Sequence, residues 1–334
     1  MTTATSRLGV PHLHRLWART AASRAGKSPG PNLEWHLDQV VIHGLGVGLE
    51  QAVPFLIKEN PGFDAFEQWI IATAGEPSPD QVARINAAVA GAPCPEATER
   101  RLASVDAMDP VLSPEDLARW DSEGVVILHD AAPPGAVKAA EEALWEHLGA
   151  DPRDPESWYG VRANGIMVQL FQHPALEAVR RSPRIHKAFA QLWGTADLWP
   201  TTDRCGFNVP ERPGAAFPGP HLHWDVSLHQ PIPFGTQGIL YLTDTPPEQG
   251  ALTVVPGFQH RAAAWLQGLP QGADPRMQDL HALGSRPIGG RAGDLVIWHQ
   301  ALPHGSRPNR GARPRLVQYL NFFRLRNEPP APWI

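Results

Sequence analysis

The hydrophobic rhythm of the chain changes part-way along. Between residues 33 and 91 apolar positions such as Phe63, Phe66, Ile70 and Ala74 recur at helical spacing. "NPG" and "GEPSP" interrupt the run, so the stretch predicts several helices. A Pro-, Ala- and Arg-rich segment from Gly91 to about Pro110 reads as a linker. "LSPEDLARWDSEGVVIL" then offers Ser113 as N-cap, Pro114 at the first helical position and Gly124 as a stop before a β-branched run, predicting a helix that enters a strand. "PPGAVKAAEEALWEHLG" repeats that logic with Val137, Ala140, Leu144 and Leu148 on one face and Gly149 as its end. A further helix is predicted from Leu176 to Trp193.

From residue 201 the texture turns to short β-rich runs between Pro/Gly turns: "TDRCGFNV", "HLHWDVSL", "GILYLTDT", "ALTVV", "DLVIWH" and "LVQYLNFF". Such spacing favours a β-sandwich or jelly roll. The expected fold class is α+β, mainly β: a double-stranded β-helix (jelly roll, cupin-like) core with flanking helices. Residues 1–110 form a helical N-terminal extension and residues 111–334 the domain that carries the chemistry. The apolar helical faces of the extension need burial, against that domain or in a homodimer contact.

Composition narrows the classes. With 334 residues, 42% hydrophobic and 19% charged, the chain can bury a large core and has no room for extended disorder. A formal charge of −5, with no basic block beyond the N-terminal stretch, argues against nucleic acid as the main partner. Cys94 and Cys205 stand far apart, which suggests neither a disulfide framework nor a thiolate zinc site, and the cytoplasm is the expected compartment. No apolar run is long enough to span a bilayer, so no membrane role is expected. The start, free of acids up to Pro31, lacks the apolar core of a secretory signal; it has features of a transit peptide, but a disordered start is the expectation. "GLGVG" at 44–48 lacks dinucleotide-loop spacing and reads as a Gly-loosened helical segment. The ending "APWI" is no peroxisomal signal.

The chemistry concentrates in "PGPHLHWDVSLHQP", residues 219–232. In a strand, His221, His223 and Asp225 share one face, and periodicity alone cannot choose among them. A third ligand must come from elsewhere, and "GDLVIWHQALPHGSRPN" offers His304, with His299 as its competitor. Two imidazoles and one carboxylate on one face of an octahedral ion leave three positions open, the facial triad of non-haem Fe(II) oxygenases. Of the arginines at 307, 310, 313 and 315, Arg315 stands at the mouth of the next strand, where its fork could grip a carboxylate; the others are expected to be solvated.

Taken in order, "HWD", "EQGALTVVPGFQHR", "GDLVIWHQALPHGSRPN" and Arg315 resemble the phytanoyl-CoA dioxygenase-like branch of the Fe(II)/2-oxoglutarate oxygenases over roughly residues 111–323. The resemblance implies that His223, Asp225 and His304 bind Fe(II), that Arg315 holds the distal carboxylate of 2-oxoglutarate, that Ser306 assists there, and that Tyr241 lines the co-substrate pocket. "PHGS" favours His304 over His299. His221 and His229 become pocket-rim or outer groups, and His260 orders a turn. Phe258 departs from the family's usual Pro-Gly-Ser-His, so no local role is carried over for that turn. Trp224 and Phe234 could border the substrate. Residues 158–174, with Arg162, Asn164, Gln169 and Gln172, are a candidate lid.

The implied activity is a dioxygenase that oxidises a small molecule of specialised metabolism, with O2 consumed and 2-oxoglutarate converted to succinate and CO2. Hydroxylation is the default outcome; desaturation, cyclisation and epimerisation are the variants. A zinc or manganese cupin-like hydrolase or isomerase would share the ligands but have no need for Arg315. A non-catalytic jelly-roll binding protein would have no need for the intact set. A halogenase would carry a small residue in place of Asp225.

Overall fold

A computed structural model describes residues 6–27, 30–161, 163–325 and 333. The fold is mixed, with helices and antiparallel sheets, and the chain divides into two compact units.

The first unit comprises residues up to Asp109, the segment Trp193–Asp203 and the described residues from Phe322. Its helices are α1 (Leu13–Arg24), α2 (Trp35–Gly44), α3 (Leu49–Glu59), α4 (Phe63–Ala74), α5 (Pro79–Ala90) and α6 (Glu96–Asp106). "GEPSP" starts α5 by a capping box, in which Ser78 Oγ accepts from the Gln81 amide and the Gln81 side chain accepts from the Ser78 amide. Phe63, Phe66 and Ile70 lie in the unit's core with Leu13, Val40, Val41, Ile42 and Ile85. Two expectations fail here. The start is not disordered throughout: Leu8, Val10, Leu13 and Leu16 are buried, and α1 forms because this apolar stripe has a core to join. The supposed linker holds α6, whose Leu102 and Val105 face inward at helical spacing between bracketing prolines. "GLGVG" is mainly the turn between α2 and α3, with Gly46 at φ 75°. A buried polar anchor ties the unit together: Asp38 accepts two bonds from Arg15, at 2.8 and 3.0 Å, and one from Asn32 at 2.7 Å.

The second unit comprises Pro110–Leu192, Arg204–Asn321 and, among the described terminal residues, Trp333. It begins with α7 (Pro114–Glu123), capped by Ser113 and stopped by Gly124, and β1 (Val125–Leu128), as the sequence predicts. Helix α8 (Pro134–Leu148) buries the expected stripe and ends at Gly149. Strand β2 (Met167–Val168) follows, and the predicted helix over 176–193 is two, α9 (Pro174–Arg180) and α10 (Pro183–Trp193). Pro183 has no amide to continue α9 and starts a new helix instead.

The remaining elements are β3 (Trp199–Pro200), β4 (Cys205–Asn208), β5 (Thr236–Tyr241), β6 (Leu252–Val254), α11 (Ala262–Gln267) and β7 (Arg286–Ile288). They are followed by β8 (Leu295–His299), β9 (His304–Gly305), β10 (Arg315–Tyr319) and β11 (Phe322–Phe323). Strands β3 and β11 pair antiparallel within the first unit, where Trp199 enters the core. In the second unit, one antiparallel sheet has the order β1-β8-β5-β10-β4-β2 and another the order β7-β6-β9. Alternate residues of both, among them Val254, Tyr241, Val296 and Val317, share one hydrophobic core. Among the described residues no single helix is long and apolar enough to cross a membrane.

Candidate metal centre

"HLHWDVSL" is not a strand. The segment touches β9 at a single bridge, where His223 and His304 exchange amide–carbonyl bonds of 2.9 and 3.0 Å, and then bends at Asp225. Gly305 permits this approach, since a Cβ there would stand 2.4 Å from the His221 carbonyl oxygen. Two groups fix the bend in place of a strand ladder. The Trp224 indole donates to the Ala301 carbonyl at 2.9 Å, and the Arg276 guanidinium donates to the carbonyls of Trp224 and Val226, 2.9 Å each, on either side of Asp225.

The result is a cluster of His223, Asp225 and His304 whose ligand atoms all lie within 4.8 Å of one another. His223 Nε2 is 3.3 Å from Asp225 Oδ1 and His304 Nε2 is 3.1 Å from Asp225 Oδ2. Each ring commits its other nitrogen to a carbonyl, His223 Nδ1 to His221 at 2.7 Å and His304 Nδ1 to Leu302 at 3.1 Å. A carbonyl only accepts, so both Nδ1 atoms carry the proton and both Nε2 atoms face the carboxylate. Burial works against charge on His223, but the hydrogen bond and negative charge of Asp225 outweigh it and hold this imidazole above its ordinary pKa. Burial likewise opposes charge on Asp225, yet the bonds from His223 and His304 keep it well below the usual carboxylate range.

The same strand leads to a second feature. Ser306, two residues beyond His304, is buried and accepts at Oγ from Arg315 Nη1 at 3.0 Å, and the same nitrogen reaches the Gly250 carbonyl at 2.7 Å. Arg315 is 1% exposed, and its Nε and Nη2 are buried without a partner among the described residues. Buried donors are rarely left unsatisfied, so this half of the guanidinium fork suits a carboxylate that enters from outside.

The family model described as phytanoyl-CoA dioxygenase (PhyH) matches residues 120–317. The chain belongs to the phytanoyl-CoA dioxygenase family. Enzymes of the PhyH family use Fe(II), 2-oxoglutarate and O2. A Dictyostelium discoideum protein named as a phytanoyl-CoA dioxygenase is 30% identical over 92 residues, a match that spans 26% of this chain and 26% of that protein. Among solved structures, the non-haem α-ketoglutarate-dependent carbocyclase SnoK from nogalamycin biosynthesis is 18% identical with a TM-score of 0.46, covering 66% of this chain and 85% of that one. HygX from Streptomyces hygroscopicus, with nickel and 2-oxoglutarate bound, is 17% identical with a TM-score of 0.44, covering 64% and 88%. EctD from S. alaskensis, with bound Fe, is 18% identical with a TM-score of 0.47, covering 68% and 87%.

Other expected site residues of this PhyH chain fall in different places. Tyr241 is fully buried, donates its hydroxyl to the Ile288 carbonyl at 2.6 Å and accepts the Leu252 amide at 3.1 Å, and burial pushes it up to about 12. That hydroxyl braces β5 against β6 and β7. His221 is exposed beside Phe217, outside the ligand cluster, and His229 is exposed as well. His299 ends β8 with its ring near Trp120 and Phe234; its Nδ1 accepts the Ala301 amide, and it takes no part in the cluster. His260 bonds to the Asp121 carbonyl, anchoring its turn. Trp224 packs against Phe258 and Trp265 in the core, and that packing is where Phe258 is used.

Arg310 and Arg313 are exposed, whereas Arg307 is half-buried and donates to Ser285. A cavity of about 680 Å³ opens beside Ser306, lined in part by His221, His281, Ser285, Arg307 and Arg310. Of the candidate lid, β2 pairs with β4 and Asn164 bridges to Met167, while Arg162 lies outside the described residues. Sequence reasoning missed Gln237, which donates to Asp225 Oδ2 at 2.6 Å, and Arg276, which holds the bend. Gln237 lies 12 residues from Asp225 and Arg276 lies 52 residues from Trp224, and neither carries a local signal.

Proposed function

We propose that this chain is an Fe(II)/2-oxoglutarate-dependent dioxygenase that oxidises a small molecule, with hydroxylation as its default outcome, on a jelly-roll scaffold formed by the two sheets of its second unit. The observation that carries this reading is the continuity of β9 with the serine after it. His304 delivers an imidazole to the His/Asp/His cluster, and Ser306, on the same stretch, touches the half-satisfied fork of Arg315. Two neutral imidazoles and one carboxylate suit Fe(II) and leave open positions, while the unpartnered Nε and Nη2 of Arg315 suit the distal carboxylate of 2-oxoglutarate. A metal hydrolase needs the first feature and has no use for the second.

His223, Asp225 and His304 would hold the iron, with both Nδ1–H groups spent on carbonyls so that Nε2 is the donor. Bound there with 2-oxoglutarate, iron supplies O2 activation coupled to oxidative decarboxylation to succinate and CO2. Arg315 would orient the co-substrate by a charge-assisted fork, and Ser306, already held by Nη1, would stand beside the same carboxylate. Burial of that fork excludes water from competing for it.

The decisive assay is succinate formation from 2-oxoglutarate with Fe(II), without added substrate. Slow Fe(II)-dependent succinate release that stops on chelation supports the reading. No succinate with any metal, together with metal-dependent turnover of a substrate in the absence of 2-oxoglutarate, would replace it with the hydrolase or isomerase.

A further inference from the structure

Gln237 on β5 stands directly opposite Trp298 on β8. Their side chains meet, the Trp298 indole donating to Gln237 Oε1 at 3.0 Å. An indole N–H can only donate, so it fixes which way the amide faces: oxygen toward Trp298, nitrogen toward the metal centre. That nitrogen donates to Asp225 Oδ2 at 2.6 Å. The Trp298 ring also lies 5.1 Å from the His304 ring. One tryptophan therefore abuts one member of the cluster and reaches a second through an amide.

We propose that Gln237, oriented by Trp298, is a positioning residue that occupies one oxygen of Asp225, so that this carboxylate offers a metal a single oxygen and the remaining positions stay open. The inference rests on the ligand set proposed above. Both oxygens of Asp225 face an imidazole Nε2, at 3.3 and 3.1 Å, so the two are nearly equivalent toward an ion held between the rings. The amide breaks that equivalence. A hydrogen bond to an ionised oxygen draws its lone pair away from the metal and fixes the plane of the carboxylate. Arg276 fixes the backbone on both sides of Asp225, and Gln237 adds to the two imidazoles a bond that holds the side chain itself from outside the ligand set. A carboxylate that swung into two-oxygen binding would take a position that co-substrate or O2 requires.

The test uses the full-length protein and Co(II) as the probe, reading both the dissociation constant and the visible absorption, whose intensity and shape follow coordination number. Gln237→Leu is expected to weaken Co(II) binding by about tenfold or more and to shift the spectrum, with thermal stability little changed. Gln237→Glu keeps an acceptor for Trp298 but loses the donor, and should show the same spectral shift. Trp298→Phe retains the ring against His304 and frees the amide to turn, giving a smaller change in the same direction; it decides the matter if the leucine variant does not fold. Wild-type affinity and spectrum in both Gln237→Leu and Trp298→Phe would overturn the role of Gln237. Co(II) binding by the wild type that is indifferent to Asp225→Ala would instead overturn the ligand set, and this inference with it.

Discussion

His223 and His304 each donate the main-chain amide to the other's carbonyl, at 2.9 and 3.0 Å, so the two imidazoles of the candidate centre are set by one backbone contact between distant parts of the chain. The bend held by the Trp224 indole and Arg276 then brings Asp225 to the cluster.

Asp225→Ala removes the single anionic member and leaves every histidine of "HLHWD" in place. Loss of an outer partner of a metal ligand costs about 10–100-fold in affinity, so loss of the carboxylate itself should cost more than about 100-fold, and Fe(II)-dependent succinate formation should fall with it. His221→Ala should do neither. Metal titration on variants shown to be folded by circular dichroism checks both. Loss of binding in His221→Ala with retention in His223→Ala would move the site to a His-x-x-x-Asp set.

Arg315→Ala should weaken 2-oxoglutarate by about 100-fold, the scale of about 3 kcal/mol expected when one member of a buried charge pair is cut away. Metal affinity should stay near wild type, because Arg315 bonds to Ser306 and Gly250 and to no member of the cluster. Arg315→Lys keeps the charge without the fork and should recover part of the loss. Calorimetric titration of 2-oxoglutarate in the presence of Mn(II) reads all three proteins.

His299 gives the protein an acid-sensitive element separate from the centre. Burial, with the charge of His260 nearby, pushes its imidazole down to about 4 from 6.5. The unfolded chain binds this proton below 6.5 while the folded chain refuses it until about 4, so stability present above the unfolded value is lost as pH falls between them. Allowing for its partial exposure, the loss at pH 5 should be about 1–2 kcal/mol. His299→Gln can still accept the Ala301 amide and should flatten that part of the profile. Urea unfolding at pH 7.5 and 5 measures the difference.

Asp38→Ala should destabilise the helical unit by about 3 kcal/mol, because Arg15 and Asn32 lose the buried carboxylate that both hold. Burial raises this carboxyl, but the His12 imidazole 3.3 Å away, the Asn32 hydrogen bond and the charge and hydrogen bonds of Arg15 outweigh it and leave it below the ordinary value of 3.8. Its contribution is thus complete above that value and is lost as pH falls below it. Thermal unfolding of wild type and variant at neutral pH gives the magnitude, and the gap between them should shrink in strong acid.

Asn309→Ala tests the turn that leads into β10. The side chain is fully buried, donates to the carbonyls of Asn208 and Arg313, and accepts the Gly311 amide. Leaving those groups unpaired should cost about 2 kcal/mol or more. Unfolding in denaturant should show the loss, and 2-oxoglutarate affinity should weaken with it, since the turn sets where Arg315 begins its strand.

The sequence alone determined the features whose cause is local. Ser113, Pro114 and Gly124 bound α7 because caps and stops act within one turn, and the stripe of Val137, Ala140, Leu144 and Leu148 marks α8 because helical period and burial coincide. The ordered motifs gave the family and its cofactors. Tertiary structure decided what depends on groups far apart in the chain. Periodicity placed His221, His223 and Asp225 on one strand face, but no ladder forms there; one bridge to His304, the Arg276 clamp and the close approach over Gly305 bring His223 and Asp225 together and leave His221 outside. Tyr241 was legible as a large aromatic on a core strand, yet whether its hydroxyl met a ligand or a carbonyl depended on where β6 and β7 came to lie. Gln237 and Trp298 are an unremarkable amide and an apolar aromatic in sequence; only the register of β5 against β8 joins them, and only the fold brings that pair to Asp225.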